Sequence, residues 1–119
     1  MSALHEAEQR PWGSFEVLAD AETHSKVKYM TVLPGRRLSY QSHAHRAEHW
    51  VVVQGAAEVT LDDVVHLVGV GESIDVPKGA KHRCANPGDV DLVFVEVQQG
   101  DYFGEDDIVR YEDDFGRLG

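Results

Sequence analysis

The 119-residue chain holds one cysteine, four prolines and only 11 basic residues against 21 acidic ones. A single cysteine excludes an internal disulfide and fits a reducing compartment. Cys84 stands between His82 and Asn86 and reads as a small core residue rather than a nucleophile. A formal net charge of −10 argues against nucleic acid or an anionic membrane as partner, because either needs a basic face. Any anionic ligand must therefore be met by a local basic cluster. No apolar run reaches the roughly 20 residues of a spanning helix. The N-terminal residues also lack a signal peptide's basic and apolar segments, so a cytoplasmic location is expected. A long apolar repeat of helical period is missing too, which points away from helical folds.

Short β-rich segments separated by turn residues take its place. Residues 15–18, 26–33, 48–54, 73–76 and 90–97 are enriched in β-branched and aromatic side chains, as strands are. Residues 56–61 and 64–68 flank Asp62-Asp63 as a hairpin with a two-residue acidic turn. Arg10-Pro11-Trp12-Gly13 and Asn86-Pro87-Gly88-Asp89 read as tight turns. Many short strands at regular spacing predict an all-β fold, a sandwich or closed barrel. Its 42% hydrophobic content suits one domain with its own core. Residues 1–9 form a polar N-terminal extension, mobile or a short helical turn, and residues 10–117 the domain. His24 is expected in an exposed connection and His66 on a strand surface. The tail, residues 100–116, carries seven acidic residues, yet Tyr102, Phe103, Ile108, Val109, Tyr111 and Phe115 give it too much apolar surface for a disordered end. It is expected to dock over the barrel.

The chemistry concentrates in Ser42-His43-Ala44-His45-Arg46-Ala47-Glu48-His49-Trp50. On a strand, alternate residues share a face, so His43 and His45 would project together. Two such imidazoles can bind one divalent metal, with Glu48 or His49 as third ligand and His82 as fourth. Neighbours on a strand point to opposite faces, so only one of Glu48 and His49 can join. Imidazole with one carboxylate suits zinc, iron, nickel or manganese.

A second segment supports this reading. Gly71, Pro77, Gly79, His82 and Asn86 fill G-x5-P-x-G-x2-H-x3-N, the second cupin motif, at every defined position. The first motif, G-x5-H-x-H-x3/4-E-x6-G, is matched by His43-x-His45 and by Glu48, with six residues between it and Gly55. Seven residues rather than five separate Gly35 from His43, and two separate His45 from Glu48. The chain resembles a cupin, which implies a single jelly-roll-like β-barrel with short irregular N- and C-terminal extensions. Glu48 is the preferred third ligand on its distance to Gly55, with His49 the alternative.

Four longer blocks sharpen the likeness: Arg10-Pro-Trp-Gly-Ser-Phe-Glu-Val-Leu18, His45-Arg-Ala-Glu-His-Trp-Val-Val-Val53, the run from Pro77 to Arg83, and the run from Glu96 to Arg110. Together they are similar to the type II mannose-6-phosphate isomerase domain over residues 10–117. That resemblance implies interconversion of mannose 6-phosphate and fructose 6-phosphate, with a small sugar phosphate as partner and one divalent ion, zinc first, as cofactor. Since such domains commonly follow a guanylyltransferase, a chain of this length is expected to be a stand-alone form. The metal set would be His43, His45, Glu48 (or His49) and His82. Proton transfer would fall to Glu96 or to whichever of Glu48 and His49 is not a ligand. The phosphate grip could come from Arg110 first, or from Lys28, Arg46, Lys81 or Arg83. Cupins also include non-catalytic sugar-phosphate binders and Fe(II) oxygenases, which are the alternatives. A homodimer through the edge strands is compatible with the sequence.

Overall fold

The computed structural model describes residues 6–21, 24–104 and 106–117. Residues 1–5 of the expected extension and Glu105 of the tail block lie outside the described residues. Along the chain run β1 (Glu8–Arg10), β2 (Gly13–Asp20), β3 (Ser25–Val32), β4 (Tyr40–Ser42), β5 (Arg46–Gln54), β6 (Ala56–Leu61), β7 (Val64–Gly69), β8 (Ser73–Val76), β9 (His82–Ala85), β10 (Leu92–Gly100) and β11 (Val109–Glu112). There is no helix among the described residues, and the all-β expectation holds. One antiparallel sheet has the order β1-β2-β3-β10-β5-β8, the other β11-β4-β9-β6-β7. The strands that neighbour one another are mostly distant in sequence, as when a long hairpin is rolled into a barrel.

The hairpin turns follow their sequences. Asp62 and Asp63 both take positive φ, 46° and 68°, the conformation whose twist matches that of the flanking strands. Pro11 and Trp12 form the two-residue link between β1 and β2. The extensions are more regular than expected. Residues 8–10 pair with β2, and residues 109–112 add a strand beside β4. Residues 109–112 satisfy backbone groups by pairing with β4 at the sheet edge. The docked tail expected from its composition is thus observed as β11.

The interior is divided along the strands. The inward residues of β5 read Arg46, Glu48, Trp50, Val52, and those of β10 read Gln98, Glu96, Phe94, Leu92, all buried. On β3 the series is Lys28, Met30, Val32, and on β9 it is His82, Cys84. Each strand changes from polar to apolar at about the same level. The apolar half closes into a core with Trp12, Phe15, Val59, Val68 and Val76. The polar half must satisfy its own donors and acceptors, because bare buried charge is costly. Cys84 sits fully inside the apolar half, and burial pushes its thiol pKa far up, so it is inert as a nucleophile. His24 and His66 are exposed, as expected.

The second motif ends at Asn86, 2% exposed, which ties three segments together. Its Nδ2 donates to the carbonyls of Val32 and Val90 at 2.9 and 2.7 Å, while its Oδ1 accepts from the Gly88 amide at 3.0 Å. Asn86→Asp keeps the shape but replaces the double donor with an oxygen facing two carbonyls. The variant is expected to lose about 2–4 kcal/mol of unfolding free energy, read by urea denaturation. Wild-type stability would show that these bonds contribute little.

Candidate metal centre

At the boundary between the two interior halves, three buried side chains converge. The ligand atoms of His43, Glu48 and His82 all lie within 4.8 Å of one another. His43 Nε2 is 3.6 Å from Glu48 Oε2, and His82 Nε2 is 4.0 Å from Glu48 Oε1. Two ligands of a tetrahedral ion, each about 2 Å from it, are about 3.3 Å apart, so small movements would complete a site. Two backbone carbonyls orient the imidazoles. His43 Nδ1 lies 2.6 Å from the carbonyl of Asp107 and His82 Nδ1 3.1 Å from that of Ala80. A carbonyl only accepts, so both Nδ1 atoms carry the proton and both Nε2 lone pairs face Glu48. Burial, then the Arg46 charge, lowers the His43 pKa to about 4, and burial lowers that of His82. Neutral imidazoles are what a metal requires. The donor set and its tautomers therefore fit a divalent ion.

Glu48 is held from three sides. Trp50 Nε1 donates to Oε1 at 3.0 Å and Arg46 Nε to Oε2 at 2.9 Å. Glu96 is hydrogen-bonded to Glu48 as well, and burial, followed by the Glu48 charge, pushes the Glu96 carboxyl up to about 8. The group opens on a cavity lined by Arg10, Lys28, Arg110 and Arg117 together with Gln41 and Glu96. In a chain of net charge −10, this is the local basic cluster that an anionic ligand requires. Two guanidinium nitrogens, Arg46 Nη1 and Arg110 Nε, are buried without a hydrogen-bond partner among the described residues.

Two of the expected ligands, His45 and His49, are not brought together with the other three. His45 does not join His43, because residues 43–45 form the loop between β4 and β5 rather than a strand. The Asp107 carboxylate accepts the amides of Ala44 and His45 at 3.1 and 2.9 Å and bends that loop. The His45 ring is left exposed, 3.5 Å from Asp101. His49 lies on the outer face of β5 with Nδ1 2.5 Å from Asp75 Oδ1, apart from His43, Glu48 and His82. Glu48 is the inward member of that pair. Among the candidate phosphate contacts, Lys81 is exposed with Nζ 4.6 Å from the Tyr111 ring. Arg83 spends its guanidinium on the Leu38 carbonyl and on Glu112. Lys28 is buried against the Phe15 ring, opposite Glu96 on the paired strand.

The residue missed was Gln41. It is buried, lines the cavity and pairs in register with His82 across β4 and β9. Counting from the glycines places it in the motif: Gly35-x5-Gln41-x-His43-x4-Glu48-x6-Gly55 has every spacing the pattern asks for. Gly35 and Gly55 both adopt the positive φ, 72° and 79°, that fixes those ends. The discrepancy in spacing was the signal, since it vanishes once glutamine is accepted at the first histidine position. Arg10 and Arg117, also on the cavity wall, carried no such signal.

Glu96 has a consequence for stability. Its ordinary pKa of 4.5 rises to about 8 on folding, so between these values the unfolded chain has released a proton that the folded one keeps. Folding stability from this group therefore falls as pH rises through that window. Glu96→Gln keeps the neutral form. In chelator-treated protein, the stability of the variant relative to wild type is expected to increase from pH 4.5 to 8 and then level off. A pH-independent difference in denaturant melts would contradict the assignment.

The family described as Mannose-6-phosphate isomerase C-terminal matches residues 1–113. The mannose-1-phosphate guanylyltransferase ManC of Salmonella typhimurium is 50% identical over 115 residues, 97% of this chain and 24% of that protein. The alginate biosynthesis protein AlgA of Pseudomonas aeruginosa is 52% identical over 108 residues, 91% of this chain and 22% of that protein. The chain thus spans about a quarter of the length of the curated relatives it matches. A solved protein from Klebsiella pneumoniae with a double-stranded β-helix domain superposes with a TM-score of 0.77 at 20% identity, over 94% of this chain and 89% of that one. Its likeness is one of fold, and it shows the double-stranded β-helix barrel expected from the motifs. On the match over residues 1–113, the chain belongs to the Mannose-6-phosphate isomerase C-terminal family.

Proposed function

We propose that this chain is a metal-dependent aldose–ketose isomerase that interconverts mannose 6-phosphate and fructose 6-phosphate. The observation that carries the reading is the buried His43–Glu48–His82 group set beside Glu96 in an arginine-lined cavity. Family membership supports the same substrate class, whereas the guanylyltransferase named for a relative belongs to a much longer chain. His43, Glu48 and His82 would hold the ion, zinc first by ligand type. A divalent ion there supplies a Lewis acid for the hydroxyl and carbonyl oxygens of the sugar.

The protein's own residues account for the remaining tasks. Isomerisation moves one hydrogen from C2 to C1 and one from O2 to O1. Glu96 lines the cavity, and its carboxyl, held near 8, is available in both forms around neutral pH, as a proton carrier must be. As carboxylate it takes the C2 proton of the aldose, and as acid it returns that proton to C1. Since the base form is required, turnover of mannose 6-phosphate should rise with pH towards 8. Arg110, paired with Gln41 across β11 and β4 and with its Nε unsatisfied, would grip the phosphate through the planar fork that suits it. The buried free thiol of Cys84 agrees with work in the reducing cytoplasm.

A coupled assay on mannose 6-phosphate with zinc-loaded protein tests the reading. Turnover abolished by chelator and restored by zinc is expected; metal bound without turnover would favour a sugar-phosphate binder, and oxygen uptake with iron an oxygenase. Elemental analysis should find zinc retained in His45→Ala and His49→Ala and largely lost in His43→Ala, Glu48→Ala and His82→Ala. Loss of zinc from His45→Ala would restore the strand-borne pair. Glu96→Gln should lose about 10²–10⁴-fold in kcat with its zinc retained. Arg110→Lys should lose about 1.5–3 kcal/mol in kcat/KM; full activity in Arg110→Ala would leave the phosphate without this contact.

A further inference from the structure

Arg46 stands where its chemistry opposes a metal ion. Its side chain is buried on β5 at the polar end of the barrel, and its guanidinium reaches two of the three ligand side chains. Nε donates to Glu48 Oε2 at 2.9 Å, and Nη2 lies 3.1 Å from His43 Nε2. The His43 Nδ1 proton faces the Asp107 carbonyl, so it is the Nε2 lone pair that accepts from Nη2. These are the electron pairs that a divalent ion would use. The third nitrogen, Nη1, is buried with no hydrogen-bond partner among the described residues. A guanidinium stays charged at every relevant pH. One bound to a ligand atom would also repel a divalent ion on that same atom, strongly so in a buried site.

We infer that Arg46 is an internal competitor for the metal centre: its guanidinium satisfies His43 Nε2 and Glu48 Oε2 when no ion is bound, and metal uptake requires its displacement. The inference rests on His43, Glu48 and His82 being the ligands. Arg46 thereby sets the metal affinity without being a ligand. It also explains how the buried Glu48 carboxylate is neutralised in the metal-free protein, where an uncompensated charge would be expensive.

The test is zinc titration of wild type and Arg46→Leu against a competing chelator indicator, with zinc-free circular dichroism and melting to confirm folding. Wild-type protein carrying 15N-arginine provides an independent readout, its Arg46 Nε–H signal assigned by loss in Arg46→Lys. The expected result is at least about tenfold tighter zinc binding in Arg46→Leu, the size of one charge-assisted bond removed from competition. In wild type, the Arg46 Nε–H signal should shift in proportion to zinc added, up to one equivalent. Equal or weaker affinity in the folded variant overturns the inference, and so does an Arg46 signal unmoved by stoichiometric zinc. If Arg46→Leu does not fold, the wild-type signal decides. Zinc uptake by neither protein overturns the ligand set itself and the competition with it.

Discussion

A carboxylate buried to 5% exposure cannot stand alone, and the polar half of this barrel is arranged around that fact. Glu48 accepts from Trp50 and Arg46, is hydrogen-bonded to Glu96 and faces the Nε2 atoms of His43 and His82. Trp50 belongs equally to the apolar core, with its ring 5.1 Å from Phe94 and 5.8 Å from His82. The group that holds Glu48 on one side is therefore part of the packing that holds the fold. Glu48 and His82 stand on strands and His43 in the loop after β4, and backbone carbonyls orient both imidazoles.

The same constraint explains why the two ends of the chain matter. His43 lies in a loop, and a loop histidine needs an outside partner to fix its ring. Asp107 provides it twice, its carbonyl on the ring and its carboxylate on the amides of residues 44 and 45. β11 then carries Arg110 to the cavity wall. At the other end of the chain, Arg10 in β1 reaches the wall with its guanidinium 4.9 Å from the Phe15 ring centre. Acidic residues that look like a solvated tail thus become structural supports of a cationic cavity.

Strand positions, the acidic hairpin turn and the second motif were legible because each depends on local chemistry: β-branched alternation, positive φ at aspartate and glycine, and a proline turn. The preference for Glu48 over His49 came from the distance to Gly55, while the pitch of a strand said only that the two face opposite ways. The pairing of His43 with His45 was not, because strand alternation fails where the distant Asp107 captures two backbone amides. Gln41 was hidden by residue type rather than by position, since the glycine spacings mark its place. The role of Arg83 depends on a tertiary partner, Glu112, whereas Arg46 is turned to Glu48 two residues on along β5.

The central claim is that one carboxylate and two imidazoles from β5, β9 and the loop after β4 form a single metal site. A crystal structure of the zinc-loaded protein, with anomalous data collected at the zinc edge, tests it most directly. The account predicts one strong peak per chain, about 2 Å from His43 Nε2, His82 Nε2 and a Glu48 oxygen. A peak bound instead by His45, or by His49 with Asp75, would contradict it.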